Sequence, residues 1–449
     1  MSGETAFSAY NPAALVDLYQ LTMAQAYWHE GMHAEAVFSL HFRDLPRGRN
    51  FVLAAGLHAV LDALESFRFD RHTLDYLAGH ELFREDFLRW LEDLRLDATV
   101  RAVPEGTVVF GQEPLLEVTA PVIQGQLVES LIMNQIHVQS VLASGAARIV
   151  AAAGGRPVVD FALRRMHGSD AAVQGARAMY IGGAHATSNV LAGRRYGIPV
   201  TGTMAHSYVQ AHADERAALR AFAELYPETT LLIDTWDALD GVDRVIALAR
   251  EQGEQFSVAA IRIDSGDLEA LAGTCRQRLD EAGLSQVRIL VSGGLDEYRI
   301  ARLVQNDAPI DGFGVGTHMG TGGHAPTLDL AYKLVAYEGR PCIKTSPGKP
   351  VYPGAKQVFR QQDAGRFSGD TVAAHDERQD GAPLLNEVMR DGQRSAPDET
   401  LADIRARAAA QVRALPEDVR KLEAATEPYR VNISPALRQA HEDALGTRR

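Results

Sequence analysis

The amino-acid sequence predicts an α/β fold in which an irregular, partial barrel is joined to a second domain of different pattern. Three observations predict it. Between residues 157 and 331, short apolar runs alternate with helical patterns. Polar residues suited to chemistry stand at the ends of those runs. The residues before 145 mix helices with half-buried strands and lack that alternation.

The apolar runs occupy 158–163, 198–201, 231–233, 258–263, 287–291 and 312–315. Segments such as 239–252 and 268–282 between them carry apolar residues at helical spacing. Strands recurring with helices between them make βαβ units and a parallel sheet. Six such runs with little else between them favour a barrel or partial barrel over an open sheet. A barrel carries its chemistry at the strand C-terminal ends, and Asp234, Asp264, Ser292 and Thr317 fall there.

In the first domain, 1–145, the pattern predicts helices over 15–30, 57–67 and 82–94 and a half-buried strand over 36–42. A β region over 107–119 is broken at Pro114, and a long helix over 126–152 leads into the barrel domain, 146–331. The C-terminal segment, 332–449, opens with β pattern over 332–359 that returns in part to the first domain's sheet. Beyond Gln361 the chain is charged and Gly-rich until helices over 401–415 and 435–445.

Composition narrows the function. A net charge of -13 argues against a general nucleic-acid binder, which needs a basic surface. No apolar run is long enough to span a membrane, and Met1-Ser2-Gly3-Glu4-Thr5 lacks the pattern of a secretory signal. Two cysteines, Cys275 and Cys342, cannot build a disulfide framework or a four-cysteine zinc site. These features fit a cytoplasmic enzyme without a nucleic-acid or membrane partner.

Several segments carry candidate chemistry. Gly202-Thr203-Met204-Ala205-His206-Ser207 follows the run Ile198-Pro199-Val200, read as a buried strand, and presents one imidazole. His206 can serve as base, nucleophile or ligand; the ordinary alternative is a half-buried histidine with satisfied hydrogen bonds. His167, His185 and His212 offer no metal-like spacing with it, so zinc is set aside. Arg262 and Asp264 stand two apart on a strand, so both face one side, with Asp267 beyond Gly266. Arginine grips phosphate or carboxylate in bidentate fashion, and carboxylates beside phosphate hold Mg²⁺; a structural salt bridge is the plainer reading. Ser292-Gly293-Gly294 and Gly312-Phe313-Gly314-Val315-Gly316-Thr317 let the backbone approach a phosphate, with another glycine cluster at Gly320-Thr321-Gly322-Gly323. Either alone would make only a tight turn; together, on the last two strands, they indicate a phosphate site. Phe161-Ala162-Leu163-Arg164-Arg165 ends the first run with two cations, whereas Asp17-Leu18-Tyr19-Gln20-Leu21-Thr22-Met23 reads as an ordinary helix.

In order, these segments resemble the nicotinate phosphoribosyltransferase family, together with Ile263-Asp264-Ser265-Gly266-Asp267-Leu268, Ser292-Gly293-Gly294-Leu295-Asp296-Glu297, Tyr332-Lys333-Leu334, Lys344-Thr345-Ser346 and Pro353-Gly354. The resemblance implies a type II phosphoribosyltransferase: an irregular TIM-like barrel plus a discontinuous α/β sandwich-like domain, in a homodimer with a shared active site. It implies that nicotinate and phosphoribosyl pyrophosphate give nicotinate mononucleotide and pyrophosphate in NAD biosynthesis, with Mg²⁺ and with ATP hydrolysis assisting. By resemblance, His206 is the histidine phosphorylated by ATP. Tyr19 from a neighbouring subunit and Phe161 enclose the pyridine ring, and Thr203 and Arg262 lie near the nicotinate. Arg164, Ser292, Gly293, Gly294, Gly314, Gly316 and Thr317 bind phosphate. Asp264 matches a carboxylate near the ribose or Mg²⁺, and the choice between Asp264 and Asp267, through water, as the residue that holds Mg²⁺ stays open. With two cysteines the chain lacks the cysteine-rich zinc element of some members. Two alternatives stay open at this point: a nicotinamide phosphoribosyltransferase, and a sugar-phosphate-binding barrel without catalysis. An amide-specific site would favour an acidic neighbour, whereas the double arginine favours an acid.

Overall fold

The computed structural model describes residues 11–344 and 351–447, so Met1 to Thr5 and the motif residues Thr345 and Ser346 lie outside the described residues. The chain divides into two compact units. One is Gly145–His324; the other joins Met1–Ser144 to Ala325–Arg449.

The Gly145–His324 unit is built on six parallel strands: β1 (Val158–Asp160), β2 (Ala186–Thr187), β3 (Thr230–Leu232), β4 (Ala260–Ile263), β5 (Arg288–Val291) and β6 (Gly312–Val315). Their order in the sheet is β2-β1-β6-β5-β4-β3. All five pairings are parallel. The sheet curls without closing: β3 ends it on one side, β2 on the other meets only a single bridge from Val200, and the architecture is a partial barrel. Ile261, Ile263, Ile289, Val291 and Val315 are fully buried, as strands covered on both faces require. Helices Ala238–Gln252, Leu268–Glu281 and Glu297–Gln305 follow β3, β4 and β5. Each begins at an aspartate, Asp237, Asp267 or Asp296, whose side chain accepts a hydrogen bond from the first-turn backbone.

The run 198–201 is not a buried strand. Only Val200 forms a bridge, to Thr187, and its side chain is 50 % exposed. The position beside β1 is taken by Ala186–Thr187, a strand too short and polar to stand out in sequence.

In the other unit the main sheet has seven strands and is antiparallel throughout. Glu35–Phe42 sits between Leu330–Tyr337 and Pro114–Pro121. Leu330 and Ala331 already pair with Phe42 and His41, so the barrel unit ends at His324 rather than at 331. Helices Leu57–Glu65, Arg71–Ala78 and Glu85–Asp93 contribute Leu64, Leu77, Phe87 and Leu91 to the core of this unit. Pro114 starts a strand instead of breaking one, and the long helix is two, Val122–Leu127 and Glu129–Ala152. The charged stretch beyond Gln361 contains strand Arg366–Ala374, paired with Lys356–Asp363. Its polarity hid a buried ion pair, Arg360–Asp370, at 2.5 Å. None of the described helices is long and apolar enough to cross a membrane.

Candidate active site

The C-terminal ends of β1, β4, β5 and β6 open onto a cleft of about 440 Å³. It is lined by Phe161, Arg164, Thr203, Arg262, Asp264, Ser292, Gly293, Gly294, Gly314, Gly316 and Thr317, among others. Eleven of the residues named from sequence therefore meet in one place.

Arg262 organises one wall. It stands in β4 with its side chain on the same face as Asp264. Its Nη1 donates to Thr203 Oγ1 at 2.5 Å, and its guanidinium carbon lies 5.9 Å from the centre of the Phe161 ring. Nε is buried without a hydrogen-bond partner among the described residues. Burial lowers the pKa of Arg262, the charges of Asp264 and Asp234 oppose that shift, and the nearby charge of Arg164 adds to it. Two guanidiniums that raise each other's energy are suited to an anion between them. The Phe161 backbone N–H donates to Val315 O at 2.9 Å, and a Cβ on Gly314 would come within 2.4 Å of the Phe161 ring. Gly314 therefore makes the room in which that ring lies.

Asp264 ties the second wall together. Its backbone N–H donates to Asp234 Oδ2 at 2.9 Å, and Ser265 Oγ donates to the same oxygen at 2.6 Å. Ser292 Oγ donates to Asp264 Oδ1. Asp264 Oδ2 lies 3.7 Å from His206 Nε2, while His206 Nδ1 lies 3.2 Å from Thr235 Oγ1. His206 is the first residue of the short helix His206–Gln210, not the end of a strand, and is half-buried.

The cradle is formed by Gly293 and Gly294, with φ of +87° and +59°. A Cβ on Gly293 would sit 1.8 Å from the Asp264 carbonyl oxygen, so no side chain fits there. Arg299 Nη1 donates to the Gly293 carbonyl at 3.1 Å and fixes the turn from behind. Below Phe161, Asp160 is buried and accepts from Ala162 N and Thr187 Oγ1, both at 2.7 Å. Burial raises its pKa, and those two bonds offset part of the rise.

Asp267 does not join the cleft. Its carboxylate accepts from Ala270 N at 3.2 Å and caps Leu268–Glu281. Asp234 adjoins Asp264 through its Oδ2, and its Oδ1 is buried without a hydrogen-bond partner among the described residues. Its position at the end of β3 was the available signal. Ser188 and Arg165 also line the cleft. Ser188 was missed because β2 was missed. Tyr19 stands in the other unit on Leu18–His29, 49 % exposed, with its hydroxyl pKa pushed up to about 12 by burial and by Glu129.

Comparison with known proteins gives the lineage. Residues 15–137 match the nicotinate phosphoribosyltransferase N-terminal domain, 157–360 the nicotinate phosphoribosyltransferase family and 377–441 its C-terminal domain. The chain is 55 % identical over 428 residues to nicotinate phosphoribosyltransferase pncB2 of Mycobacterium tuberculosis, covering 95 % of this chain and 92 % of that one. It is 40 % identical over 372 residues to nicotinate phosphoribosyltransferase of Bacillus subtilis, covering 81 % and 76 %. The crystal structure of human nicotinic acid phosphoribosyltransferase superposes with a TM-score of 0.86 at 29 % identity, over 96 % of this chain and all of that one. On matches that span both units and hold the order of the cleft segments, the chain belongs to the nicotinate phosphoribosyltransferase family of enzymes.

Proposed function

We propose that this protein couples nicotinate to 5-phosphoribosyl 1-pyrophosphate, forming nicotinate mononucleotide and pyrophosphate, with ATP hydrolysis through a phosphohistidine at His206. The observation that carries the reading is the half-buried guanidinium of Arg262, held by Thr203, lining the cleft and lying near the Phe161 ring. A flat aromatic acid needs such a pair: a ring face for its ring and a cation for its carboxylate. Arg262 is hydrogen-bonded to the neutral Thr203 hydroxyl, while Asp264 and Asp234 act on it through their charges. These features favour the acid over the amide.

The ring nitrogen of nicotinate attacks C1 of the ribose as the C1–pyrophosphate bond breaks. Positive charge develops on the ribose and negative charge on the leaving oxygen. Asp264 stands where it can face the former. Arg164, the backbone of Gly293 and Gly294, and Gly316 with Thr317 can receive the latter. Most of the rate then comes from positioning and charge neutralisation. Asp234 and Asp264 fit a Mg²⁺ ion, because Asp234 Oδ1 is buried and unpaired among the described residues. A bound Mg²⁺ would neutralise part of the pyrophosphate charge.

At His206, Nδ1 rests against Thr235 and leaves Nε2, next to Asp264, to accept the phosphoryl group of ATP with release of ADP. Phosphorylation adds negative charge beside Asp264, and its hydrolysis makes each cycle effectively irreversible. Tyr19 is proposed to cover the pyridine ring from a second copy of the chain in a homodimer.

A product assay tests the reading. Purified protein with phosphoribosyl pyrophosphate and Mg²⁺ is supplied with nicotinate or nicotinamide, with and without ATP. Nicotinate mononucleotide formed faster with ATP is the expected result; turnover of the amide alone, or no product, rejects it. His206→Ala is expected to lose ATP stimulation and the acid-labile phosphate together.

A further inference from the structure

The glycine cluster after β6 turns the chain sharply. Gly322 and Gly323 take φ of +77° and +54°, conformations open to glycine at little cost. They reverse the chain and bring His324 back over His318, with the two imidazole rings 5.4 Å apart. Asp296 meets them from the turn before helix Glu297–Gln305. Its Oδ1 is fixed by the Arg299 backbone N–H at 2.7 Å, and its Oδ2 lies 3.5 Å from His324 Nε2. One ligand atom from each of Asp296, His318 and His324 lies within 4.8 Å of the others. The Tyr298 ring, 5.4 Å from His324 and edge-on, supports that imidazole.

We propose that Asp296, His318 and His324 form a binding site for a divalent first-row transition ion, Zn²⁺ or Co²⁺ in class, at the rim of the cleft. Two imidazoles and one carboxylate are a ligand set that such ions prefer, whereas Mg²⁺ prefers oxygen ligands. Three protein ligands leave at least one coordination position for water or an anionic ligand. A simple His324–Asp296 surface pair is worth at most about 1 kcal/mol and gives no reason for His318 to converge on the same point. The groups are also set by backbone features: a helix cap, two left-handed glycines and the short helix Thr317–Gly320. His318 lines the cleft, so the ion would lie next to the anion cradle. The site is separate from Asp234 and Asp264 and does not rest on the catalytic reading.

The test is titration of the untagged, metal-stripped full chain with Co²⁺, read by visible d–d absorption and by equilibrium dialysis. The expected result is one Co²⁺ bound per chain, displaced by Zn²⁺ and not by excess Mg²⁺. Outer ligand partners alone change metal affinity by about 10–100-fold, so removing a ligand in His324→Ala or His318→Asn is expected to weaken binding by more than about 100-fold. Asp296→Ser removes the carboxylate while keeping a side chain able to cap the helix, and is expected to weaken binding likewise. Circular dichroism checks that each variant is folded. The proposal is overturned if no stoichiometric Co²⁺ binds, if all three variants bind as the parent does, or if Mg²⁺ displaces Co²⁺ as readily as Zn²⁺.

Discussion

Replacing Gly293 with alanine is the sharpest perturbation of the cleft. The added Cβ would lie 1.8 Å from the Asp264 carbonyl oxygen. Carbon and oxygen rest no closer than about 3.3 Å even in favourable C–H···O contacts. The turn and the end of β4 must therefore separate by roughly 1.5 Å. The φ of +87° adds about 1–2 kcal/mol of backbone strain for any side chain. That separation moves Asp264 relative to Ser292 and His206, the two side chains beside its carboxylate. A displacement near 1 Å of groups that position substrate costs about 10²-fold in rate, which corresponds to about 2.7 kcal/mol. Steady-state kinetics of nicotinate mononucleotide formation provide the assay, with kcat/KM for phosphoribosyl pyrophosphate as the readout. Gly273→Ala serves as control, because a Cβ there meets nothing within 4 Å and the position is exposed on a helix. A Gly293→Ala protein with kcat/KM within twofold of the parent would refute the steric reasoning.

Thr203→Val removes the acceptor of Arg262 Nη1 and keeps the shape; loss of a hydrogen bond to a charged group, about 1.5–3 kcal/mol, is expected to raise KM for nicotinate by about 10–100-fold, and an unchanged KM would count against the role given to Arg262. His41 carries a pKa lowered to about 4 by burial and then by the charges of Lys356, Arg43 and Lys333. With about 6.5 for the unfolded chain, the unfolded state binds the extra proton between those values, so stability is full above about 6.5 and falls as pH drops toward 4. At pH 5 the loss is about 2 kcal/mol relative to neutral pH, and His41→Gln is expected to flatten that part of the melting-temperature profile. Arg360→Met strands the buried Asp370 carboxylate beside Glu113, whose own pKa is already raised by burial and by Asp370. It is expected to destabilise that unit by about 3–5 kcal/mol, measured by urea unfolding.

Much of the cleft was legible in sequence because its parts are local and its strands apolar. β6 matches the run 312–315 residue for residue, and β4 and β5 fall inside the runs that predicted them. Reading failed where a polar residue is buried or an apolar one is not. Val200 belongs to an apolar run yet is half exposed, and Asp370 is fully buried in a strand that reads as charged loop. Asp267 and Asp234 show the same limit at the site. Both follow strands, but one is spent on a helix terminus and the other keeps a free oxygen. That difference lies in which backbone N–H groups come within reach, and residue type does not encode it.

The pairing of Glu35–Phe42 with Leu330–Tyr337 has a consequence for biogenesis. On a ribosome the earlier strand emerges roughly 290 residues before its neighbour, a wait of some 15–60 s at ordinary elongation rates. Throughout that interval one flank of a nascent, apolar ribbon is open to any passing chain. The barrel unit, continuous from Gly145 to His324, is translated whole before that wait ends. Synthesis therefore lets the middle of the chain be completed before the amino-terminal sheet can be.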